Sequence, residues 1–190
     1  MAHPPSHLSH KSTLAIMLRE SALHGAVQTA RQAHDRSFER WPPHINLLYP
    51  FLAAPSTQLE TIVPRLAAAV ARSPVIRGQF SNLGHFQHSP KRATVFLAPD
   101  PSTRTEIQAL QACLQAAFPE VNHDTRPFEP HLTLGQAGGG AAGTATLRRK
   151  LETAVLPAAA EGWTIASVVV LERNGQDDPF RVVHECALAD

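Results

Sequence analysis

Two short segments constrain this chain more than any other feature: Pro43-His44-Ile45-Asn46-Leu47-Leu48-Tyr49-Pro50-Phe51 and Pro130-His131-Leu132-Thr133-Leu134-Gly135. Each is an apolar run bounded by proline or glycine, the pattern of a short buried strand. Successive strand side chains point to opposite faces, so His44 and Asn46 share one face while Ile45, Leu47 and Tyr49 take the other. His131 and Thr133 share a face in the same way, with Leu132 and Leu134 behind them. An imidazole beside a small hydrogen-bonding group is thus presented twice, each time on hydrophobic anchors. The tripeptide alone would say little, because the chain holds eleven histidines and His-x-Ser/Thr recurs at His7, His10 and His123. Those copies lie in a Pro/Ser/His-rich tail or a polar turn. Only His44 and His131 have a preceding proline and apolar alternation after them.

The two histidines are 87 positions apart in a chain of 190 residues, close to half its length. The order around them repeats weakly. Leu14, Ile16 and Leu18 alternate over a strand at 13 to 18, and Leu23, Ala26, Val27 and Ala30 mark a helix at 21 to 34. After the first His strand, Thr57-x-x-Glu60 reads as a capping box for a helix carrying Leu59, Ile62, Val63, Leu66 and Val70. Pro64 predicts a kink or a later start. Strands at 75 to 80 and 93 to 98 flank a turn-rich segment with His85 and His88. Thr103-x-x-Glu106 reads as a second capping box, before a helix with Ile107, Leu110, Leu114 and Phe118 on its buried side. After the second His strand, residues 136 to 146 are rich in glycine and alanine and read as a flexible loop. No Lys-Ser/Thr follows its glycines, so it is not a phosphate-binding P-loop. Leu147, Leu151 and Val155 mark a last helix, and strands at 163 to 171 and 180 to 188 close the chain.

Composition narrows the function. Hydrophobic content of 43% and charged content of 17% fit a globular domain, and a net charge of +1 argues against gripping long nucleic acid by counterion release. A small or terminal substrate suits that balance. Cys113 and Cys186 read as reduced core residues of an intracellular protein, and no apolar run is long enough to span a membrane, so the cytoplasm is the expected location. Residues 1 to 12 read as a loose tail before a single domain at 13 to 190. Its His3, His7 and His10 have no cysteine or carboxylate beside them to complete a metal site, and no metal or cofactor is expected.

If the two strands line one cleft, it holds two imidazoles and two neutral hydrogen-bonding groups. One neutral histidine can take a proton from a nucleophile while one protonated histidine gives a proton to a leaving oxygen. Asn46 and Thr133 can donate to oxygens that gain charge between them. That arrangement suits in-line displacement at phosphorus.

The stretches Trp41-Pro-Pro-His-Ile-Asn-Leu-Leu-Tyr-Pro-Phe51 and Phe128-Glu-Pro-His-Leu-Thr-Leu-Gly135 resemble the paired motifs of the 2H phosphoesterase superfamily, in its 2′-5′ RNA ligase-like branch. The resemblance spans residues 12 to 188. It implies an α+β bilobal fold, with two pseudo-symmetric lobes whose antiparallel sheets line a central cleft and whose helices lie outside. It also implies metal-independent opening of 2′,3′-cyclic phosphates to 2′-phosphates. By the same resemblance, His44 is the acid on the leaving 3′ oxygen, His131 the base on water, and Asn46 and Thr133 bind phosphoryl oxygens. RNA ends or small cyclic-phosphate nucleotides are the implied partners, for a monomer with no obligate protein partner. Reverse 2′-5′ ligation and a phosphate-binding module without turnover stay open. Asn46 stands where relatives carry Thr or Ser, and Gln136 where a cationic Arg is frequent. Arg36, Arg40 and Arg126 are candidates for the missing cation, and Gln136 and Tyr49 are further candidate substrate contacts. As an alternating strand residue, Tyr49 is expected on the core face.

Overall fold

The expected stripes become helices for reasons written locally. In the computed structural model, which describes residues 7–121 and 126–189, α1 (Ala22–His34) starts where the Ser21 hydroxyl accepts the His24 N–H at 3.1 Å. It buries Leu23, Val27, Ala30 and also Arg31. The next helix, α2 (Leu59–Val70), does not use the expected capping box. The Thr57 hydroxyl donates instead to the Ala54 carbonyl in a 3-10 turn, Gln58 precedes the helix, and the helix runs on through Pro64. In α3 (Pro101–Ala117) the cap is Asp100, whose carboxylate accepts the Thr103 N–H at 2.8 Å, with Pro101 preset for the first helical position. Thr103 therefore lies inside the helix, where its hydroxyl accepts the Gln79 N–H.

The glycine- and alanine-rich tract is the largest departure from expectation. Rather than a flexible loop, residues 140 to 146 open α4 (Gly140–Ala159). Alanine is the strongest helix former, and the small residues permit close approach. A Cβ at Gly143 would lie 1.7 Å from the Gly138 carbonyl oxygen, so only glycine fits.

The strands are β1 (Leu8–Ser9), β2 (Ser12–Met17), β3 (His44–Leu48), β4 (Phe51–Leu52), β5 (Ile76–Gly78), β6 (Asn82–Ser89), β7 (Arg92–Ala98), β8 (Leu132–Ala137), β9 (Trp163–Ile165), β10 (Ser167–Glu172) and β11 (Arg181–Ala187). Strand β6 replaces the expected turn-rich segment. Its sequence hides it because His85, Gln87 and His88 face solvent and few β-branched residues mark it. The expected loose tail is also partly structured: Leu8 is buried, and β1 pairs with β4. Residues 1–6 and the polar turn at His123 lie outside the described residues. Cys113, expected in the core, is exposed on α3, and Cys186 is half-buried in β11. No described helix is long and apolar enough to cross a membrane.

Two antiparallel sheets carry the histidines, one in the order β11-β10-β2-β3 and the other β6-β7-β8. The halves of the chain are exchanged between them. Strand β10, from the second half, completes the sheet of β2 and β3, while β6, from the first half, completes that of β7 and β8. Helices exchange too: α1 packs on β8 and α4, whereas α3 packs on β3 and α2. Where the halves cross, β5 and β9 pair antiparallel, with Arg77 opposite Thr164. Buried leucines, isoleucines and valines of both sheets and of α1 to α4 form the main core, and Ala15, Val169, Leu171 and Phe180 form a second, smaller cluster against which Met17 and Trp41 pack; each fully buried large apolar side chain contributes about 1.5–3 kcal/mol.

Both His strands carry a β-bulge at the same place. The β2–β3 register passes from Ala15 opposite Asn46 to Leu14 opposite Leu48, leaving Leu47 as the extra residue. The β7–β8 register passes from Phe96 opposite Thr133 to Val95 opposite Gly135, leaving Leu134 extra. Each extra leucine is the third residue after its histidine. A bulge shifts the alternation by one, so Leu47 and Leu48 are both buried and Tyr49 emerges 41% exposed. Tyr49 is therefore not on the core face, whereas Phe51 is fully buried.

Candidate active site

Strands β3 and β8 lie against each other, and they bring His44 and His131 near enough for charge on His131 to lower the proton affinity of His44. The backbone fixes both rings by one device. His44 Nδ1–H donates to the Pro42 carbonyl at 2.7 Å, and His131 Nδ1–H donates to the Glu129 carbonyl at 2.8 Å. In each case the acceptor is two residues upstream, where a proline before the histidine holds the chain extended. This bond selects the tautomer that leaves Nε2 as the reactive nitrogen.

The ring faces are supported differently. His44 stacks on Trp41, with centroids 4.5 Å apart and planes 11° from parallel. Trp41 in turn stacks on Phe180 at 3.7 Å and meets Tyr49 edge-on at 5.6 Å. His131 is gripped edge-to-face by Phe86 at 4.8 Å and, more obliquely, by Phe96 at 5.2 Å. Phe96 occupies the space above Gly84, where a Cβ would come within 2.3 Å of its ring.

Burial, opposed by the Pro42 bond and Asp35 and reinforced by the charges of nearby Arg31 and His131, pushes the His44 imidazole down to about 4. Burial also lowers His131, against the opposing Glu129 carbonyl and carboxylate. In the free protein both rings are therefore neutral at neutral pH, each with an Nε2 able to accept a proton. An anion placed between them favours the protonated forms.

The phosphate-binding candidates flank the histidines at equivalent positions. Thr13 Oγ1 donates to Asn46 Oδ1 at 2.8 Å, which leaves the Asn46 amide nitrogen as the donor to the cleft. Thr133 is half-buried opposite Phe96. The other candidates are dispersed. Arg36 is exposed, and Arg126 is exposed at the start of the segment that delivers His131. Arg40 is half-buried, donates to Ser37 Oγ at 3.1 Å, and acts on the Tyr49 phenol by its charge. Tyr49 donates to the His10 carbonyl at 3.3 Å. The Gln136 amide is engaged at both ends, by Asp35 and by the Arg36 N–H.

Sequence reasoning missed the supporting cast. Trp41 opens the first motif stretch, but nothing in the sequence shows that its ring seats His44, and Phe86 and Phe96 around His131 carry no motif. Arg31 and Asp35 form a buried ion pair at 2.9 Å whose signal is visible in retrospect: a cation four residues after buried Val27, on the apolar side of α1. Arg173, stacked over Phe180 at 5.0 Å, acts by its charge on Tyr49. Among the described residues, no group of three or more His, Cys, Asp or Glu is placed to hold a metal ion.

The model of the 2′-5′ RNA ligase superfamily matches residues 19–177. No curated protein matches the sequence. Among solved structures, E. coli LigT complexed with NADP+ superposes with a TM-score of 0.58 at 18% identity, covering 95% of this chain and 98% of LigT. TT0787 of Thermus thermophilus gives a TM-score of 0.54 at 15% identity, over 93% of this chain and 97% of its own. Kluyveromyces marxianus Usb1 with uridine monophosphate gives 0.52 at 11% identity, over 90% of this chain and 97% of its own. At these identities the likeness is one of fold, and it includes the bilobal α+β architecture.

Proposed function

The chain belongs to the 2′-5′ RNA ligase superfamily, and from that membership we propose that this phosphoesterase-type protein opens 2′,3′-cyclic phosphates to 2′-phosphates with His44 and His131 as its acid and base. The observation that carries this reading is the matched pair of Nδ1 clamps, which leave Nε2 free on His44 in β3 and on His131 just before β8, two elements in contact, each histidine two residues before a hydrogen-bonding side chain.

His131 Nε2 takes a proton from water as the water oxygen attacks phosphorus. The bond from phosphorus to the 3′ oxygen breaks, and His44 Nε2–H protonates the departing oxygen. The product is a 2′-phosphomonoester with a free 3′ hydroxyl. The Asn46 amide and the Thr133 hydroxyl donate to the remaining phosphoryl oxygens as their charge grows. His44 begins neutral in the free protein, so its proton arrives with the substrate, whose negative charge offsets burial and Arg31. Neither proton step requires a metal. Relatives with nucleotide or phosphate bound, such as E. coli LigT complexed with phosphate and with 3′-AMP, support a nucleotide-sized substrate. Tyr49 and Arg40, on the Trp41 side of the cleft, are the contacts we propose beyond the phosphate.

The test is to incubate the purified protein with nucleoside 2′,3′-cyclic phosphates, with and without EDTA, and to assign the product by phosphorus NMR. The expected product is the 2′-phosphate, formed equally in EDTA and lost in both His44→Ala and His131→Ala. A 3′-phosphate product, abolition by EDTA, or turnover surviving in either variant overturns the reading.

A further inference from the structure

We propose that Gln136, Asp35 and Arg31 form a positioning strut that ties the strand of His131 to the loop that seats His44, so that the spacing of the two rings is held by side chains that hydrogen-bond to neither. The inference rests on the two-histidine reading above and adds to it residues that do not touch the reacting atoms.

The chain of bonds is continuous. Gln136 Nε2, on β8, donates to Asp35 Oδ1 at 3.1 Å, and Gln136 Oε1 accepts the Arg36 N–H at 2.8 Å. Asp35 Oδ2 accepts from Arg31 Nε at 2.9 Å. Arg31 Nη2 then donates to the Trp41 carbonyl at 2.8 Å. Trp41 supplies the face on which His44 stacks, and the next residue, Pro42, supplies the carbonyl that holds His44 Nδ1. Thus β8 and the seat of His44 are joined through three side chains. The pair has two further partners: the Ser37 N–H donates to Asp35 Oδ1 at 2.9 Å, and Arg31 Nη1 donates to Gln28 Oε1 at 3.3 Å.

Energetics argue that the pair is there for direction. Both side chains are only 2% exposed. Taking an arginine and a carboxylate out of water costs several kcal/mol per ion, and apolar residues of similar volume commonly match or exceed a buried pair in stability. Apolar side chains would fill the volume under the Trp41 loop, but they could not hold a carbonyl at a set angle or bond a strand on the other side. Positional error is costly in catalysis, since displacement of a reacting group by about 1 Å lowers rate on the order of a hundredfold.

The test compares the full-length parent with Gln136→Met, which keeps length and removes both hydrogen bonds, and with Gln136→Glu, which keeps the acceptor for Arg36 but opposes Asp35 with a second carboxylate. Ring signals of His44 and His131 are recorded by nitrogen-edited NMR, beside kcat and KM on uridine 2′,3′-cyclic phosphate and a thermal melt. The expected result for Gln136→Met is a folded protein with displaced His44 ring signals, kcat down at least about tenfold and KM within about threefold, with a larger kcat loss for Gln136→Glu. Unmoved His44 signals overturn the strut whatever the activity. So does a rate loss that merely follows the folded fraction. If the parent has no turnover on cyclic phosphates, the functional reading fails instead, and the ring signals alone decide the strut.

Discussion

His44 and His131 are oriented by the same backbone geometry and set in different electrical surroundings. Each donates Nδ1–H to a carbonyl two residues back, at 2.7 and 2.8 Å, and each is followed at its third residue by a bulged leucine. Beyond the backbone the likeness ends. His44 lies flat on Trp41 near a buried ion pair whose cation lowers its proton affinity, while His131 is held by two phenylalanine rings and favoured by Glu129. Tautomer is set by short-range geometry, which the repeat copies. Proton affinity is set by burial and by charges farther off, which the repeat leaves free to diverge. A pseudo-symmetric scaffold can in this way give two copies of one residue different chemistry.

The largest expected effect is where the sites should be equal. His44→Ala and His131→Ala should each lower kcat by about 10²–10⁴-fold with the fold intact, read by steady-state kinetics and circular dichroism. A loss confined to one of them breaks the pairing. Next comes the feature only His44 possesses. Arg31→Met leaves Asp35 buried without its cation and should destabilise the protein by about 3–5 kcal/mol in denaturant melts. A change below about 1 kcal/mol would mean that the pair is not buried in solution.

The flanking donors sharpen the comparison further. Asn46→Ala and Thr133→Val should each reduce kcat on the order of 10²-fold, whereas Asn46→Thr should stay within about tenfold of the parent because a hydroxyl can replace the amide donor. Equal losses for Asn46→Ala and Asn46→Thr would show that the amide geometry itself is required.

The smallest effects are those of pH. Both imidazoles lie below the ordinary histidine value in the free protein, so the bell of kcat/KM should centre on the acid side of pH 6.5, and the kcat bell should lie higher because the bound anion raises both. A kcat/KM bell centred above that value contradicts the burial of the rings. Stability should follow the same sign. Between pH 6.5 and about 4 the unfolded chain binds a proton that folded His44 refuses, so stability is full above the unfolded value and falls as the pH drops towards the folded one, by up to about 3 kcal/mol. His44→Gln should flatten that slope in melts taken across the range.

What could be read beforehand was what local rules determine. Proline, alternation and helical stripes marked the segments that hold His44, Asn46, His131 and Thr133 and the four described helices, and the matching of the two motifs pointed to a shared cleft. What escaped depends on tertiary structure. Nothing in Leu47-Leu48 announces a bulge, so Tyr49 was expected on the wrong face. Residues 140 to 146 look like a linker until the close approach at Gly143 explains their small size. Strand β6 has a weak pattern because β7 and α4, not its own sequence, hold it in place.

The crossing of the halves at β5 and β9 sets a limit on how this molecule can be divided. A fragment ending at the β6–β7 turn would own β2 and β3 but not the β10 that flanks them, and its β6 would lack its neighbour β7. Neither half could satisfy its sheet edges alone. Each would find its missing strand only in a second polypeptide, so two separately expressed halves should assemble by mutual strand donation or not fold at all.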